Sequence, residues 1–185
     1  MKIVLILVAC VVLAVAGGFA FIYSGVYDVS AMRPDNPLVA WAVHKTFLES
    51  VAHHSRGLVP APDLEKPENV RSGATFFRDN CAVCHGAPGM KRSNISQGLL
   101  PSPPDLLEAK RQNDPVEVFW IAKNGVNMTG MPAFGKTQPD EQIWAIAAFL
   151  HAARGISAQE FQKLTAVLPD GPQQAVGDSV VKDVR

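Results

Sequence analysis

An all-α chain is what the sequence predicts, on three observations. Ile3 to Tyr23 is a run of 21 residues without a charge. Later segments repeat apolar residues at the i, i+3, i+4 spacing of a helix face. The breaks between them carry proline, glycine or a capping side chain, which are helix start and stop signals.

The uncharged run spans about 31 Å as a helix, enough to cross a hydrocarbon core. Lys2 lies on one side of it, with Asp28 and Arg33 on the other, and this bias favours an inside amino terminus. Two rival readings are a cleaved signal with Ala14-Val15-Ala16 at the cleavage site, and a lipobox at Leu7-Val8-Ala9-Cys10. Apolar sequence continues through Phe19, Phe21, Ile22 and Tyr23, past where a signal should end, so residues 1–24 are read as an uncleaved anchor. Residues 25–57 form an amphipathic segment. Its helix, Leu38 to Arg56, sets Leu38, Trp41, Leu48 and Ala52 near one face, with Ala40, Val43, Phe47 and Val51 beside it. So wide a stripe packs on something or lies in the membrane interface, where Trp41 suits an aromatic anchor. His44, His53 and His54 have only Glu49 as an acidic neighbour, which favours surface or interfacial histidines over a metal site. Gly57 closes the helix. Residues 58–67 carry Pro60, Pro62 and Pro67, a stiff linker reaching about 30 Å if polyproline-like, from which the following domain is free to swing.

Residues 68–152 are read as the main domain. Glu68 to Asn80 is its first helix, with Val70, Gly73, Phe76 and Phe77 inward. Gly73 in mid-helix costs about 1 kcal/mol against Ala and wants a structural reason. Asp114 and Pro115 open a helix to Asn124 with Val118, Phe119, Ile121 and Ala122 as core. Pro139 to Leu150 is the last helix of the domain, with Asp140 and Glu141 at its positive end. Residues 153–185 hold a further helix, opened by the capping box Ser157-Ala158-Gln159-Glu160 and running to Leu168, then a polar tail.

The stretch that carries chemistry is Cys81-Ala82-Val83-Cys84-His85. C-x-x-C-H is an attachment signature for a covalent c-type haem. Each thiol adds across one vinyl group, and the adjacent imidazole falls beneath the iron as an axial ligand. A zinc knuckle needs a second C-x-x-C, which the chain lacks, and a thioredoxin pair lacks the immediate His. Candidates for the other iron face are Met128 and Met131, in a glycine-rich loop whose Gly130 and Pro132 flank Met131. Met90 sits too close to the attachment loop. Trp120 either packs or offers its indole N–H to a haem propionate.

In order, the helix, the C-x-x-C-H, the Met-Pro loop and the closing helix resemble class I cytochrome c, over about 85 residues from Glu68 to Ala152. The resemblance implies a cytochrome c-like fold of several helices round one covalent haem c. It implies attachment at Cys81 and Cys84, and His85 and Met131 as the iron ligands. Gly73 and Phe77 would pack on Ile146 and Phe149. A proline-flanked carbonyl in Leu99 to Leu106 would accept the His85 ring N–H, with Pro103 as candidate and Pro104 as alternative. It implies a haem domain in the periplasm, tied by one span to the bacterial cytoplasmic membrane.

Lys and Arg together number 17, as do Asp and Glu, so the formal charge is zero and nucleic acid is an unsuited partner. Of three cysteines two belong to the motif and Cys10 lies in the apolar run, so no disulfide framework exists. No internal repeat or nucleotide loop is present. With two protein ligands on the iron, the expected role is a one-electron carrier, not an enzyme. Its partners would be a dehydrogenase or quinol-oxidising complex as donor and a terminal oxidase or reductase as acceptor. The alternatives are a permanent subunit of a membrane oxidoreductase, a gas-binding or peroxidatic protein with an open iron, and a haem with a structural role.

Overall fold

The computed structural model describes residues 1–166. Among them helices are the only regular elements, apart from one isolated bridge between Ala87 and Met90. The predicted continuation of the last helix to Leu168, and the polar tail, lie outside the described residues.

Helix α1 is Lys2–Ser24, 23 residues exposed along its whole length, and its most apolar 18-residue window has a mean hydropathy of 3.0. It is long and apolar enough to cross a membrane. Helix α2 is Pro37–His54, opened by Asn36, whose side chain accepts from the Leu38 N–H at 2.9 Å. It stops two residues short of the expected end. Ser55 N–H closes it onto the Val51 carbonyl, and Gly57 turns the chain away at φ 81°.

The linker departs from expectation. Leu64 N–H donates to Ala61 O and Lys66 N–H to Asp63 O, so the segment coils into turns instead of extending. Its prolines constrain only themselves and the residue before each, leaving residues 63–65 free to fold. Nor does α2 hang free. Val51 and Ser55 are buried, and the His54 ring stacks on Trp120, centroids 5.6 Å apart and planes within 8°.

Helix α3 is Pro67–Phe76, and the ladder then widens into one π-type turn, Phe77–Cys81, in which the Ala82 N–H reaches back to Phe77 O. The expected single helix to Asn80 is therefore re-aimed at Phe77, a feature frequent at functional sites. Short helices α4 (Ala82–His85) and α5 (Asn94–Gln97) follow, then α6 (Pro115–Asn124), a single 3₁₀ turn at Phe134–Lys136, α7 (Asp140–Ala152) and α8 (Ala158–Thr165). Asp114 caps α6 through the Val116 and Glu117 N–H groups, and Ser157 with Glu160 forms the expected capping box.

The core lies where α3 crosses α7. Phe77, Phe149 and Phe161 meet there with centroids 5.4 to 6.3 Å apart. Gly73 permits the crossing: a Cβ on it would stand 1.9 Å from the Ala145 carbonyl oxygen. A smaller cluster joins α6 to α7 through Phe119, Ala122, Ile143 and Ala147, with the Phe119 and Trp144 rings stacked at 4.0 Å.

One buried polar residue ties the loop before α6 to this core. Asn113 donates from its amide to Leu106 O and Leu150 O, both at 2.8 Å, from a backbone φ of 46°. Asn113→Ala strands those carbonyls and puts a poorer residue in the left-handed region, for an expected loss of about 2–4 kcal/mol. Asn113→Gly restores only the backbone freedom, on the order of 1 kcal/mol. The denaturant midpoints of the two variants check both figures.

Candidate haem-attachment site

The attachment residues sit where the widened turn delivers them. Cys81 ends the π-type turn and is buried; Cys84 and His85 follow on α4, both half-buried. No disulfide joins any of the three cysteines. Burial, and then the neighbouring Cys84, push the Cys81 thiol up to about 12, so this sulfur stays uncharged. Gly86, at φ 74°, lets the chain leave the site immediately after His85.

His85 Nδ1 lies 2.8 Å from the carbonyl of Pro104. A carbonyl only accepts, so the ring N–H is on Nδ1 and Nε2 is left with its lone pair. Burial holds the imidazole below its ordinary value, partly opposed by this hydrogen bond. Of the two prolines weighed from sequence, the acceptor is thus Pro104 and not Pro103. Along an irregular, extended stretch successive carbonyls point to opposite sides, so one residue decides which faces the ring.

Two serines not identified from sequence hold α4. Ser93 donates to Val83 O at 2.6 Å, and the buried Ser96 donates to Cys84 O at 2.5 Å. Carbonyls at the C-terminal end of a helix lack intrahelical partners, and here α5 supplies them.

The methionine loop is built from α6 onward. Gly125, at φ 67°, has no room for a side chain, because a Cβ there would lie 2.7 Å from Ala133 N. Val126 N–H then donates to Met131 O at 3.2 Å, while the Thr129 hydroxyl donates to Val126 O and accepts from Met131 N–H. This network fixes the backbone of Met131, which is half-buried at the base of the loop. Met128 occupies the tip, 92% exposed at φ 60°. Gly130 packs against Leu99, with space for a Cβ limited to 2.8 Å by Leu99 Cδ2. The 99–104 segment therefore touches the methionine loop at one end and orients His85 at the other.

Among the described residues no group of three or more His, Cys, Asp or Glu is gathered as a metal site. His53 and His54 meet edge to face at 5.0 Å, and His44 lies beside Phe47. Trp120 is the half-buried partner of His54. Two cysteines three residues apart, an imidazole nitrogen freed by a carbonyl partner, and a thioether on a fixed loop fit a covalently held haem.

Comparison with known proteins agrees. Residues 68–150 match the family model described as cytochrome c oxidase, cbb3-type, subunit III. Over 89 residues the chain is 32% identical to cytochrome c6 of Parathermosynechococcus lividus, a match covering 47% of this chain and 95% of that protein. The chain belongs to the c-type cytochromes. Such a cytochrome carries haem c with its iron and transfers electrons, alone or as part of an oxidoreductase. This cytochrome is also 28% identical over 108 residues to the gluconate 2-dehydrogenase cytochrome c subunit of Pantoea cypripedii, across 54% of its own length and 24% of that protein. With the cbb3-type cytochrome c oxidase subunit FixP of Rhizobium meliloti (strain 1021) it shares 27% identity over 143 residues, 76% of its length and 45% of that protein. It thus spans a quarter to a half of these two relatives. No solved structure matches it.

Proposed function

We propose that this cytochrome is a membrane-tethered one-electron carrier of the bacterial periplasm. A single haem is held by Cys81 and Cys84, with His85 and Met131 as the two iron ligands. The observation that carries the ligand assignment is the His85 Nδ1–Pro104 hydrogen bond, which frees Nε2 and orients the ring. When bound, haem c supplies one-electron exchange between Fe(III) and Fe(II). The protein's part is to set how readily that happens. The Pro104 carbonyl strengthens His85 as a donor by holding its N–H. The Met131 thioether favours the reduced form, and the Val126–Thr129–Met131 network holds it in place. Residues 1–24 anchor the chain, 25–57 and 58–67 connect it, and 68–152 form the haem domain.

Donor and acceptor are redox proteins, a dehydrogenase or quinol-oxidising complex on one side and a terminal oxidase or reductase on the other. A second reading, a permanent subunit of a membrane oxidoreductase, is favoured by the fact that two of the matched proteins are named as subunits. A native gel of gently solubilised membranes, stained for haem and read by mass spectrometry, separates the two. Migration at the mass of one or two chains is expected for the carrier. Stable comigration with oxidase or dehydrogenase chains would replace it by the subunit reading.

A further inference from the structure

Between the span and the haem domain, α2 joins two surfaces that the rest of the chain leaves apart. At its far end Val51 is 4% exposed and His54 stacks on Trp120 of α6. Over its first three turns the opposite holds: Leu38 is 70% exposed, Trp41 65% and Val43 64%. Polar groups in this stretch are largely self-satisfied. Lys45 and Glu49 pair at 2.5 Å, cancelling their charges, and the Thr46 hydroxyl donates to Ala42 O. The pair leaves this face without net charge, yet among the described residues only α1 is apolar enough to span.

The connection from α1 fixes where this surface lies. Tyr27 donates its hydroxyl to Asp35 at 2.9 Å, and its ring packs edge-on to Phe21 at 6.4 Å. The segment folds back on itself there, tying Asp35, two residues before α2, to Tyr27, three residues after α1. With α1 across a bilayer, the start of α2 stands at the level of the headgroups. Aromatic rings with a polar edge, such as Tyr27 and Trp41, partition there.

We infer that α2 is a strut: its N-terminal turns lie in the lipid interface of the bilayer crossed by α1, and its last turn is locked to α6. The haem domain is then held at one orientation to the membrane instead of swinging from a linker. This rests on reading α1 as a span, and adds to the tether a lipid-binding face and a fixed pose.

The test uses the full-length holoprotein, one copy per nanodisc, in ordinary and brominated phosphatidylcholine. Emission of Trp41 is the difference between the wild type and Trp41→Phe. Brominated lipid is expected to quench the larger part of it and aqueous iodide little. Quenching by iodide alone would place α2 in water, and protection from both would place it against protein; either overturns the strut. A chain that fails to enter the disc overturns the span reading and the strut with it. In oriented bilayers the haem absorbance of the wild type is expected to be dichroic. Val51→Asp, which puts a charge into the α2–α6 contact, should make it isotropic with an unchanged haem spectrum. An isotropic wild type defeats the fixed pose even where Trp41 lies in lipid.

Discussion

Met131→Ala is expected to lower the midpoint potential of the holoprotein and to let its reduced form bind carbon monoxide. On the proposed ligation, removal of the thioether takes away the ligand that stabilises the reduced iron and opens its coordination position. Axial ligation commands a span of about 0.8 V among haem proteins, so a fall on the order of 100 mV or more is the expected scale. Covalent attachment through Cys81 and Cys84 should persist, because neither cysteine belongs to the methionine loop. Met128→Ala serves as the control. Its side chain is 92% exposed at the loop tip, so its loss should leave the potential within about 20 mV, a small fraction of that span. Potentiometric titration of both variants decides between the two methionines. An unchanged potential in Met131→Ala would remove it as a ligand, and a fall confined to Met128→Ala would transfer the role.

Most of the helices were legible in the sequence because their signals are local. Asp114 before Pro115, and Ser157 with Glu160, are caps that act on their own first turns, and both mark their helices as expected. Gly73 was legible for a different reason: a mid-helix glycine is costly enough to require a close approach, and Ala145 is what approaches. What could not be read was set by contacts between segments far apart in the chain. Pro103 and Pro104 offer the same carbonyl chemistry, and only the path of the loop past His85 chooses Pro104. The widening at Phe77 leaves no local signal, since neither proline nor glycine marks residues 77–81. Nothing local marks Asn113, although its amide bridges carbonyls 7 and 37 residues away. The linker misled by composition. Three prolines suggested an extended spacer, but the residues between them were free to turn, and the end of α2 folded onto α6.

These contacts also hold the candidate attachment motif in its setting. Cys81 is buried by the α3–α7 core, Cys84 has its carbonyl held by Ser96, and His85 is oriented by Pro104. Three separate stretches of chain therefore fix three consecutive functional positions. A change far from the motif can disturb it through any of them.

Gly73→Ala tests the most sensitive of these links. The added methyl would lie 1.9 Å from Ala145 O, 2.5 Å from Ala145 C and 2.9 Å from Phe149 Cβ. Two of these atoms are backbone, so no rotamer relieves the overlap and α3 must move off α7. Overpacking of this kind costs about 3 kcal/mol or more, outweighing the gain of about 1 kcal/mol from replacing a helical glycine. With each kcal/mol worth roughly 4–8 °C in a domain of this size, a net loss of about 2–3 kcal/mol lowers the melting midpoint by about 8–24 °C. Gly98→Ala makes the matched comparison. Its nearest neighbours are 3.6 Å and 3.8 Å away, and its backbone suits any residue, so the change should stay within about 0.5 kcal/mol. Thermal unfolding of both holoproteins, followed by circular dichroism, measures the difference. Because α3 runs directly into the turn that carries Cys81, the Gly73 variant should also attach haem less completely than the Gly98 variant when expressed side by side. A Gly73→Ala protein as stable and as fully loaded as Gly98→Ala would mean that α3 and α7 do not cross this closely, and that the burial of Cys81 has another source.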